Sequence, residues 1–342
     1  MDIRNLTHLE LEKHIIDSGF PKFRTNQIFD WVHNKGIKSF EDMKNIPKDM
    51  QEKLSDEFNL NELKVIDRKI SKEDYTEKYL FELHDGNVIE CVLMKYKHGN
   101  TICISSQVGC RMGCEFCAST KGGLVRNLEV SEMLAQIYEV NKLSKVSNIV
   151  IMGIGEPFDN YENILKFLEI INSEKGLNIG QRHITLSTCG LVDKIKMFAD
   201  LGMQVNLAIS LHAVTDDKRK SLMKIANKYS IEELIESIKY YIDKTNRRVT
   251  FEYALIDKVN DSKKDAEGLA KLIRGINCHV NLIPMNEIEE SEFKPSKNLK
   301  EFTKVLDKRK INYTVRRKLG NDIEAACGQL RKKYVDEVNG DA

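Results

Sequence analysis

Residues 101–117 read Thr-Ile-Cys-Ile-Ser-Ser-Gln-Val-Gly-Cys-Arg-Met-Gly-Cys-Glu-Phe-Cys, a short apolar stretch followed by a loop that carries three cysteines. In that loop, Cys110, Cys114 and Cys117 are separated by three and then two residues. The set is one thiolate short of a closed four-ligand metal site. An incomplete set of thiolates on one loop is typical of an iron–sulfur cluster with one iron open to an external ligand.

Three neighbouring residues also favour a cluster over a single ion. Gly109 and Gly113 let the backbone approach a bulky group closely. Phe116 is able to shield such a group from water. A zinc ion is the alternative, and it would need a fourth ligand nearby. No such ligand follows at a matching spacing, so the iron–sulfur cluster is the favoured interpretation.

From about residue 100 onward, apolar strand-like runs alternate with segments of helical periodicity. The strand-like runs cover residues 101–105, 148–153, 183–188, 204–211, 248–256, 279–284 and 312–316. The helical segments cover residues 131–144, 161–174, 192–201, 230–245, 262–275 and 298–310. This alternation predicts an α/β fold with a parallel sheet covered by helices. A closed or nearly closed barrel fits the length best, and the cysteine loop then follows the first strand, at the end where barrel sites form.

The first hundred residues have a different character. Residues 1–60 contain three helical stretches and predict a small helical domain that accompanies the barrel. Residues 61–98 read as an extension of antiparallel strands, with a turn at 84–87. The barrel is then predicted over residues 99–317, and residues 318–342 form a C-terminal segment.

Composition places few further limits. The chain has 342 residues, of which 41% are hydrophobic and 31% charged, and its net charge is only +1, so the overall charge does not call for nucleic acid. No segment approaches the roughly 18 apolar residues of a membrane span, and the N-terminus lacks a signal-peptide core. We therefore expect a cytoplasmic protein without a membrane partner, whose cysteines are thiols or ligands.

Further segments match a known family. The Cys-x3-Cys-x2-Cys loop after a first strand resembles the radical S-adenosylmethionine superfamily. From its N-terminus to about Leu330, the chain is similar to the RlmN/Cfr family of RNA adenine methyltransferases within it. This resemblance rests on the cysteine loop and on residues 101–107, 121–128, 154–157, 280–284 and 322–330. It implies a partial (β/α)6 TIM-like barrel with a small N-terminal helical domain and a short antiparallel β extension.

The resemblance also implies the cofactors. One 4Fe–4S cluster per chain is held by Cys110, Cys114 and Cys117, and its open iron chelates S-adenosylmethionine. Two S-adenosylmethionine molecules are used per turnover, and reductive cleavage of one yields a 5′-deoxyadenosyl radical. The positions that match the family's S-adenosylmethionine contacts are Gly155, Glu156, Ser187, Ser210, Leu211, His212 and Asn286.

Three more residues match catalytic positions of the family. There, the counterpart of Cys327 is methylated, and the radical then takes a hydrogen atom from that S-methyl group. The methylene radical adds to carbon 2 of adenosine, which gives a covalent protein–RNA adduct. Glu90 matches the residue that accepts the ring proton. The counterpart of Cys103 attacks Cys327, and the resulting disulfide releases the methylated base.

The family's partners follow from the same resemblance. It implies 23S ribosomal RNA and transfer RNA as substrates, and an RNA-binding role for the small N-terminal domain of residues 1–60. It also implies a one-electron donor such as flavodoxin or ferredoxin, and a monomeric protein. The target adenine must leave its stack to reach a buried radical. The candidate phosphate contacts are Arg126, Arg316, Arg317 and Lys318, which flank the cysteine loop and the Cys327 segment in sequence.

Two alternatives stay open. The related Cfr-type methylase modifies carbon 8 of adenosine and shares the five cysteines, but its glycine-rich turn ends in Glu-Ala, whereas this chain has Glu156 and Pro157. The other alternative is a non-catalytic iron–sulfur or zinc module that binds RNA, although such a module has no use for two distant thiols. Cys91, Cys189 and Cys278 lack any such context, and we interpret them as packing residues.

Overall fold

Three short helices open the chain where the sequence predicts helical stretches: α1 (His8–Asp17), α2 (Arg24–Asp30) and α3 (Lys48–Glu57). Helix α1 begins at a capping box, in which the Thr7 hydroxyl accepts from the Glu10 N–H and the Glu10 carboxylate accepts from the Thr7 N–H. Helix α2 continues into a single π-helical turn at Trp31–Lys35. The helices bury Leu11 and Ile28, so each turns its apolar face inward.

Three antiparallel strands follow: β1 (Lys64–Ile70), β2 (Glu77–Glu82) and β3 (Val88–Tyr96). The structure is a computed structural model, which describes residues 1–285 and 293–323. The predicted turn between β2 and β3 is present at His84–Gly86, where Gly86 has a φ of +80°. Strand β3 then pairs antiparallel with β4 (Gly99–Cys103), so the extension continues directly into the main sheet.

The cysteine loop lies between two short strands outside the main sheet, β5 (Gln107–Gly109) and β6 (Leu124–Asn127), which pair with each other. The main sheet goes on with six more strands, all parallel: β7 (Val146–Ile151), β8 (Ile184–Thr188), β9 (Asn206–Ser210), β10 (Val249–Leu255), β11 (Cys278–Pro284) and β12 (Tyr313–Val315). Each of the seven predicted runs therefore contains a strand.

The main sheet has ten strands in the order β1-β2-β3-β4-β7-β8-β9-β10-β11-β12. Successive parallel strands are neighbours, as in a barrel, because each connection returns to the next position along the sheet. Strands β1 and β12 are the two edges, so the sheet does not close on itself within the described residues. The partial barrel that the resemblance implied is confirmed, whereas full closure is not observed.

Seven helices connect the strands: α4 (Val130–Asn141), α5 (Tyr161–Asn172), α6 (Val192–Asp200), α7 (Asp216–Leu222), α8 (Ile231–Thr245), α9 (Lys263–Leu272) and α10 (Leu299–Lys308). Six of them match predicted segments. Helix α7 was not predicted, because its sequence Asp-Asp-Lys-Arg-Lys-Ser-Leu contains one apolar residue and no apolar stripe. In the part of the chain that the structure describes, no helix is long and apolar enough to cross a membrane.

The N-terminal helices dock on α4 through both apolar and polar contacts. One hydrophobic cluster includes Phe29 of α2 and Ile137 of α4. His33, which is 3% exposed, lies beside these residues, and its Nδ1 is 2.7 Å from the Tyr138 hydroxyl. Burial lowers the pKa of His33 to about 3, and the charge of Arg4 contributes to this shift. The imidazole is therefore neutral in the folded protein near pH 7.

Because His33 is buried in its neutral form, we predict that its contribution to the free energy of unfolding decreases at acidic pH. The folded-state pKa lies below the unfolded value of 6.5, so the unfolded chain takes up the proton first. The contribution is complete above pH 6.5 and decreases by about 1.4 kcal/mol per pH unit as the pH falls toward 3. Urea unfolding between pH 7.5 and 5 should therefore show a shallower pH dependence for His33→Gln than for the wild type. Parallel pH profiles of the two proteins would contradict this prediction.

Candidate active site

Three thiols line one cavity at the carboxyl ends of the parallel strands. Cys110 and Cys114 are buried and Cys117 is half-buried, and all three border a cavity of about 310 Å³. The Cys110 N–H donates to the Gly123 carbonyl over 2.8 Å. The Thr120 hydroxyl donates to the carbonyls of Cys114 and Cys117. The loop is thus held by its own backbone with its sulfur atoms toward one space.

The two glycines of this loop are needed for its path. Gly109 has a φ of +76°, and a Cβ there would lie 2.0 Å from the Gly123 carbonyl oxygen. Gly113 has a φ of +63°, and its Cβ would lie 2.6 Å from Cδ of Lys224. A larger residue at either position would strain the backbone and also push against a neighbour. The expected close approach at these glycines is therefore an approach of the chain to itself.

The donor set is compatible with an iron–sulfur cluster. Three cysteine thiols, none of them in a disulfide, are what a cubane with one open iron requires. Burial raises the pKa of Cys110 to about 12 and raises that of Cys114 as well. A metal must therefore displace the thiol protons when it binds. Among the described residues, no three His, Cys, Asp or Glu side chains are arranged around a single ion, so the fit depends on the thiols and their cavity.

Five of the seven predicted S-adenosylmethionine contacts line the same cavity as the thiols. They are Gly155, Glu156, Ser187, Ser210 and His212. The side chain of Leu211 is fully buried in the hydrophobic core and does not line the cavity. Asn286 lies outside the described residues. The structure thus brings together the end of β8, the end of β9 and the loop after β7, as expected for a site at strand termini.

The carboxylate of Glu156 is held from several sides. Its Oε2 accepts from the Cys189 N–H over 2.7 Å, and its Oε1 accepts from the Phe158 N–H over 3.1 Å. Its own N–H donates to the side-chain oxygen of Gln107. Burial raises the pKa of Glu156, and the hydrogen bonds from Cys189 and Phe158 oppose that shift. Glu156 therefore fixes the loop after β7 as well as facing the cavity.

His212 has a defined protonation state. Its Nδ1 accepts from the Ala254 N–H over 2.9 Å, so the single ring proton of the neutral form lies on Nε2. Burial lowers the pKa of His212 to about 3, and the charge of Arg219 adds to this effect. The ring packs edge-on against Phe116, with 4.8 Å between centroids. Near neutral pH, His212 is thus an uncharged ring whose Nε2–H can donate to a ligand.

Cys103 lies next to the cavity but not in its wall. It is buried on β4 and shares a small hydrophobic cluster with Met94 of β3, and Leu319 and Ile323 of the C-terminal segment pack against this cluster. Met152 belongs to this cluster and also lines the cavity, so a single side chain connects the two. Its predicted partner Cys327 lies outside the described residues.

Glu90 is buried on β3, where side-chain alternation places it on the same face as Val92. Its Oε2 is 2.6 Å from Nζ of Lys78 on β2, and both side chains are almost completely buried. The contact is an ion pair without well-directed hydrogen-bond geometry among the described atoms. The Ser105 hydroxyl donates to the Glu90 carbonyl and so joins this strand to the end of β4.

The predicted phosphate contacts differ in availability. Arg126 is bound by Glu132 through two nitrogens, at 2.7 and 2.8 Å, and by Asp85 at 2.6 Å. Its donors are therefore used internally, and the structure does not support its role as a phosphate contact. Arg316 is exposed and lines the mouth of the cavity, and Arg317 beside it is also exposed.

The sequence did not reveal three residues of this site. Cys189, interpreted as a packing residue, lines the cavity. So does Glu252 of β10, a buried carboxylate whose Oε2 accepts from Nδ2 of Asn281 over 2.8 Å. Burial raises the pKa of Glu252, against the charge of Arg316 and the Asn281 hydrogen bond. The sequence did contain a signal for Glu252, because a lone carboxylate in an apolar strand is unusual. The third residue, Arg219, lies on the unpredicted helix α7, and the sequence contains no signal for it.

The fold and the thiol-lined cavity define a class of enzyme, the radical S-adenosylmethionine methyltransferases. Residues 104–272 match the family described as "Radical SAM superfamily". Residues 1–60 match "Ribosomal RNA large subunit methyltransferase N-terminal domain". The crystal structure of a radical SAM methyltransferase from Sphaerobacter thermophilus, 42% identical in sequence, covers 96% of this chain and 98% of its own, with a TM-score of 0.90.

Curated relatives narrow the class. The "Probable dual-specificity RNA methyltransferase RlmN" of Clostridium perfringens (strain SM101 / Type A) is 56% identical and covers 98% of this chain and 97% of its own length. The protein of the same name from Lachnoclostridium phytofermentans is 52% identical over 99% of this chain and 96% of its own length. The chain therefore belongs to the RlmN family of radical S-adenosylmethionine RNA methyltransferases. This family membership makes it an enzyme and argues against a non-catalytic binding module.

The backbone at Gly155 predicts a strict requirement for glycine. Its φ is +112°, and an added Cβ would lie 2.7 Å from Cβ and 2.8 Å from N of Gln107. Gly155→Ala should lower the free energy of unfolding by about 1–3 kcal/mol because of backbone strain. Gly180→Ala is the matched control, since Gly180 has a φ of −59° and no atom closer than 3.7 Å to the added carbon. Equal urea stability of the two variants would refute the prediction.

The buried Lys78–Glu90 pair predicts a large stability effect. Lys78→Met leaves a buried carboxylate without its cation and should cost about 3–5 kcal/mol in urea unfolding. Lys64→Met is the control, because Lys64 pairs with Glu82 at 2.8 Å on the neighbouring strand but is 72% exposed. Its loss should cost about 1 kcal/mol or less. Similar losses in both variants would mean that burial does not govern this pair.

Proposed function

We propose that this chain methylates carbon 2 of adenosine in 23S ribosomal RNA and in transfer RNA. The route uses S-methylated Cys327, a 5′-deoxyadenosyl radical and a covalent protein–RNA adduct that is resolved by a disulfide. Cys110, Cys114 and Cys117 would hold the 4Fe–4S cluster, one per chain. When bound, the cluster and S-adenosylmethionine together supply the radical, and a second S-adenosylmethionine supplies the methyl group.

One observation carries this proposal: two residues at the start of the C-terminal segment pack against the hydrophobic cluster that contains Cys103. Leu319 and Ile323 both pack in the cluster that contains the Cys103 side chain. Cys327 is four residues beyond Ile323, a span of at most about 14 Å in an extended chain. The described part of the C-terminal segment thus ends close to the cluster of Cys103 and within this span of Cys327, which supports the pairing of these two thiols.

The reaction needs both thiols. Carbon 2 is electrophilic, so it cannot take a methyl group from a sulfonium by direct displacement. The methylene radical on Cys327 would add to carbon 2, and the resulting ring radical must lose one electron and the ring proton to leave an S-bound methylene on the ring. The oxidised cluster, when bound, would be the acceptor of that electron. Cys103 then attacks the Cys327 sulfur, the sulfur–carbon bond breaks, and the bonding electrons stay with the base, which takes up a proton to complete the methyl group. A thiol reductant must return the disulfide to two thiols before the next cycle.

Glu90 is proposed to accept the ring proton. Its burial on the strand next to Cys103 supports this role. Lys78 is the neighbouring cation, with its Nζ 2.6 Å from Oε2 of Glu90. Glu90→Gln would remove the acceptor while keeping the shape of the side chain.

The RNA is proposed to reach the cavity from its open mouth. Arg316, Arg317 and Lys318 are exposed between β12 and the C-terminal segment, which suits contacts with phosphates. The target adenine would be turned out of its stack to enter the cavity. A flavodoxin or ferredoxin is the proposed electron donor, and we expect a monomeric cytoplasmic enzyme.

Variants of the two thiols test the function. Cys327→Ala should abolish methylation of transfer RNA and 23S fragments, since it removes the carbon carrier. Cys103→Ala should accumulate the protein–RNA adduct, because nothing releases the base. Cys278→Ala, at the start of β11 and outside the cavity, is the control and should turn over normally.

Mass spectrometry of the digested RNA provides the measurement. The proposal expects 2-methyladenosine from the wild type and the control. Detection of 8-methyladenosine in place of 2-methyladenosine would instead identify a Cfr-type enzyme. Full turnover by Cys327→Ala would overturn the proposed route.

A further inference from the structure

Arg219 holds a permanent positive charge inside the protein. It lies on α7 and has no exposed surface. Its Nη2 donates to the Cys189 carbonyl over 2.7 Å and makes a longer contact of 3.4 Å with the Ser210 carbonyl. Its Nε and Nη1 have no hydrogen-bond partner among the described atoms. A guanidinium in such a place is costly unless another charge compensates it.

No carboxylate of the described residues forms an ion pair with Arg219. The charge of Asp216, one turn earlier on α7, acts on Arg219, but Oδ1 of Asp216 accepts from the Ile231 N–H over 2.8 Å. The backbone carbonyls of Cys189 and Ser210 offer only partial negative charge. Arg219 is therefore a buried cation without a directly paired carboxylate among the described residues.

The position of Arg219 points to the thiol cavity. The Glu115 N–H donates to the Leu222 carbonyl at the end of α7, and Cys114 forms a backbone bridge with Met223. Cys189 and Ser210, whose carbonyls contact the guanidinium, both line the cavity. Arg219 is thus directly behind the wall that carries Cys114.

We propose that Arg219 is the buried counter-charge of the cluster held by Cys110, Cys114 and Cys117, and that it raises the reduction potential of that cluster. The inference rests on the proposed cofactor. Bound thiolates bring negative charge into the cavity, and one-electron reduction of the cluster adds another unit. A fixed positive charge in a low-dielectric wall stabilises the reduced form more than the oxidised form. Arg219 is a positioning residue in this account, since it acts through the cluster and not on the substrate.

The test is a redox titration of the full chain, reconstituted anaerobically with iron and sulfide and followed by EPR. Arg219→Gln should keep its iron and lower the reduced-to-oxidised ratio at a given potential at least tenfold, which corresponds to 59 mV for one electron. Arg219→Lys keeps the charge and should stay near the wild type. Lys224→Gln is the control, because Lys224 lies against the same loop but is 68% exposed, so solvent screens it.

Each outcome decides a separate point. An Arg219→Gln protein with full iron content and an unchanged potential would overturn the proposal. Loss of iron from Arg219→Gln, but not from Arg219→Lys, would support a requirement for charge. Loss of iron from both would make Arg219 a structural hydrogen-bond donor only, and the proposal would be wrong. If the wild type itself takes up no iron, the proposed cofactor fails, and that result is distinct from a failure of Arg219.

Discussion

The candidate active site depends on the backbone hydrogen bonds that hold the cysteine loop against the rest of the protein. On one side, the Cys110 N–H bonds to the Gly123 carbonyl, and β5 pairs with β6. On the other, the backbone at Cys114 and Glu115 pairs with the end of α7. The loop is thus held at both ends by hydrogen bonds that do not involve a thiol. All three cysteines of the loop line the cavity.

This fastening explains why the site is made of parts from distant regions. Helix α7 and the loops after β7, β8 and β9 all meet the cysteine loop at the carboxyl ends of the parallel strands. The buried polar groups there are largely matched by protein partners: Glu156 by backbone N–H groups and His212 by Ala254. Protein partners therefore hold these two side chains in place, whereas the buried charge of Arg219 has no directly paired carboxylate among the described residues. That imbalance suits a site that is complete only when an anionic group is bound.

Much of the fold could be predicted because the strands are apolar and the helices amphipathic. The seven strand runs and six of the helices follow directly from those periods. Helix α7 could not be predicted, because it is short and stabilised by its contacts rather than by an apolar stripe. Closure of the barrel was also beyond the sequence, since periodicity contains no information on how the two edges of a sheet relate.

The site residues show the same division. Ser210 and His212 line the cavity, whereas the side chain of Leu211 between them is buried in the core, and His212 has a φ of +55°, a backbone bend that periodicity does not predict. Arg126 looked available for phosphate, but its carboxylate partners Asp85 and Glu132 lie elsewhere in the sequence and become neighbours only in the fold. Lys78 is similar, because a lysine in a strand is usually exposed and here is fully buried against Glu90. Motifs therefore located the cavity, but only tertiary contacts showed how charge is distributed around it.

The decisive measurement is the metal content of protein prepared without oxygen, combined with its EPR spectrum before and after S-adenosylmethionine is added. We predict about four irons and a matching amount of sulfide per chain, and a reduced signal that changes when the sulfonium ligand binds the open iron. Replacement of Cys110, Cys114 and Cys117 by alanine should remove the bound iron and the EPR signal. Stoichiometric zinc without iron, or an EPR signal that does not change when S-adenosylmethionine is added, would contradict the account.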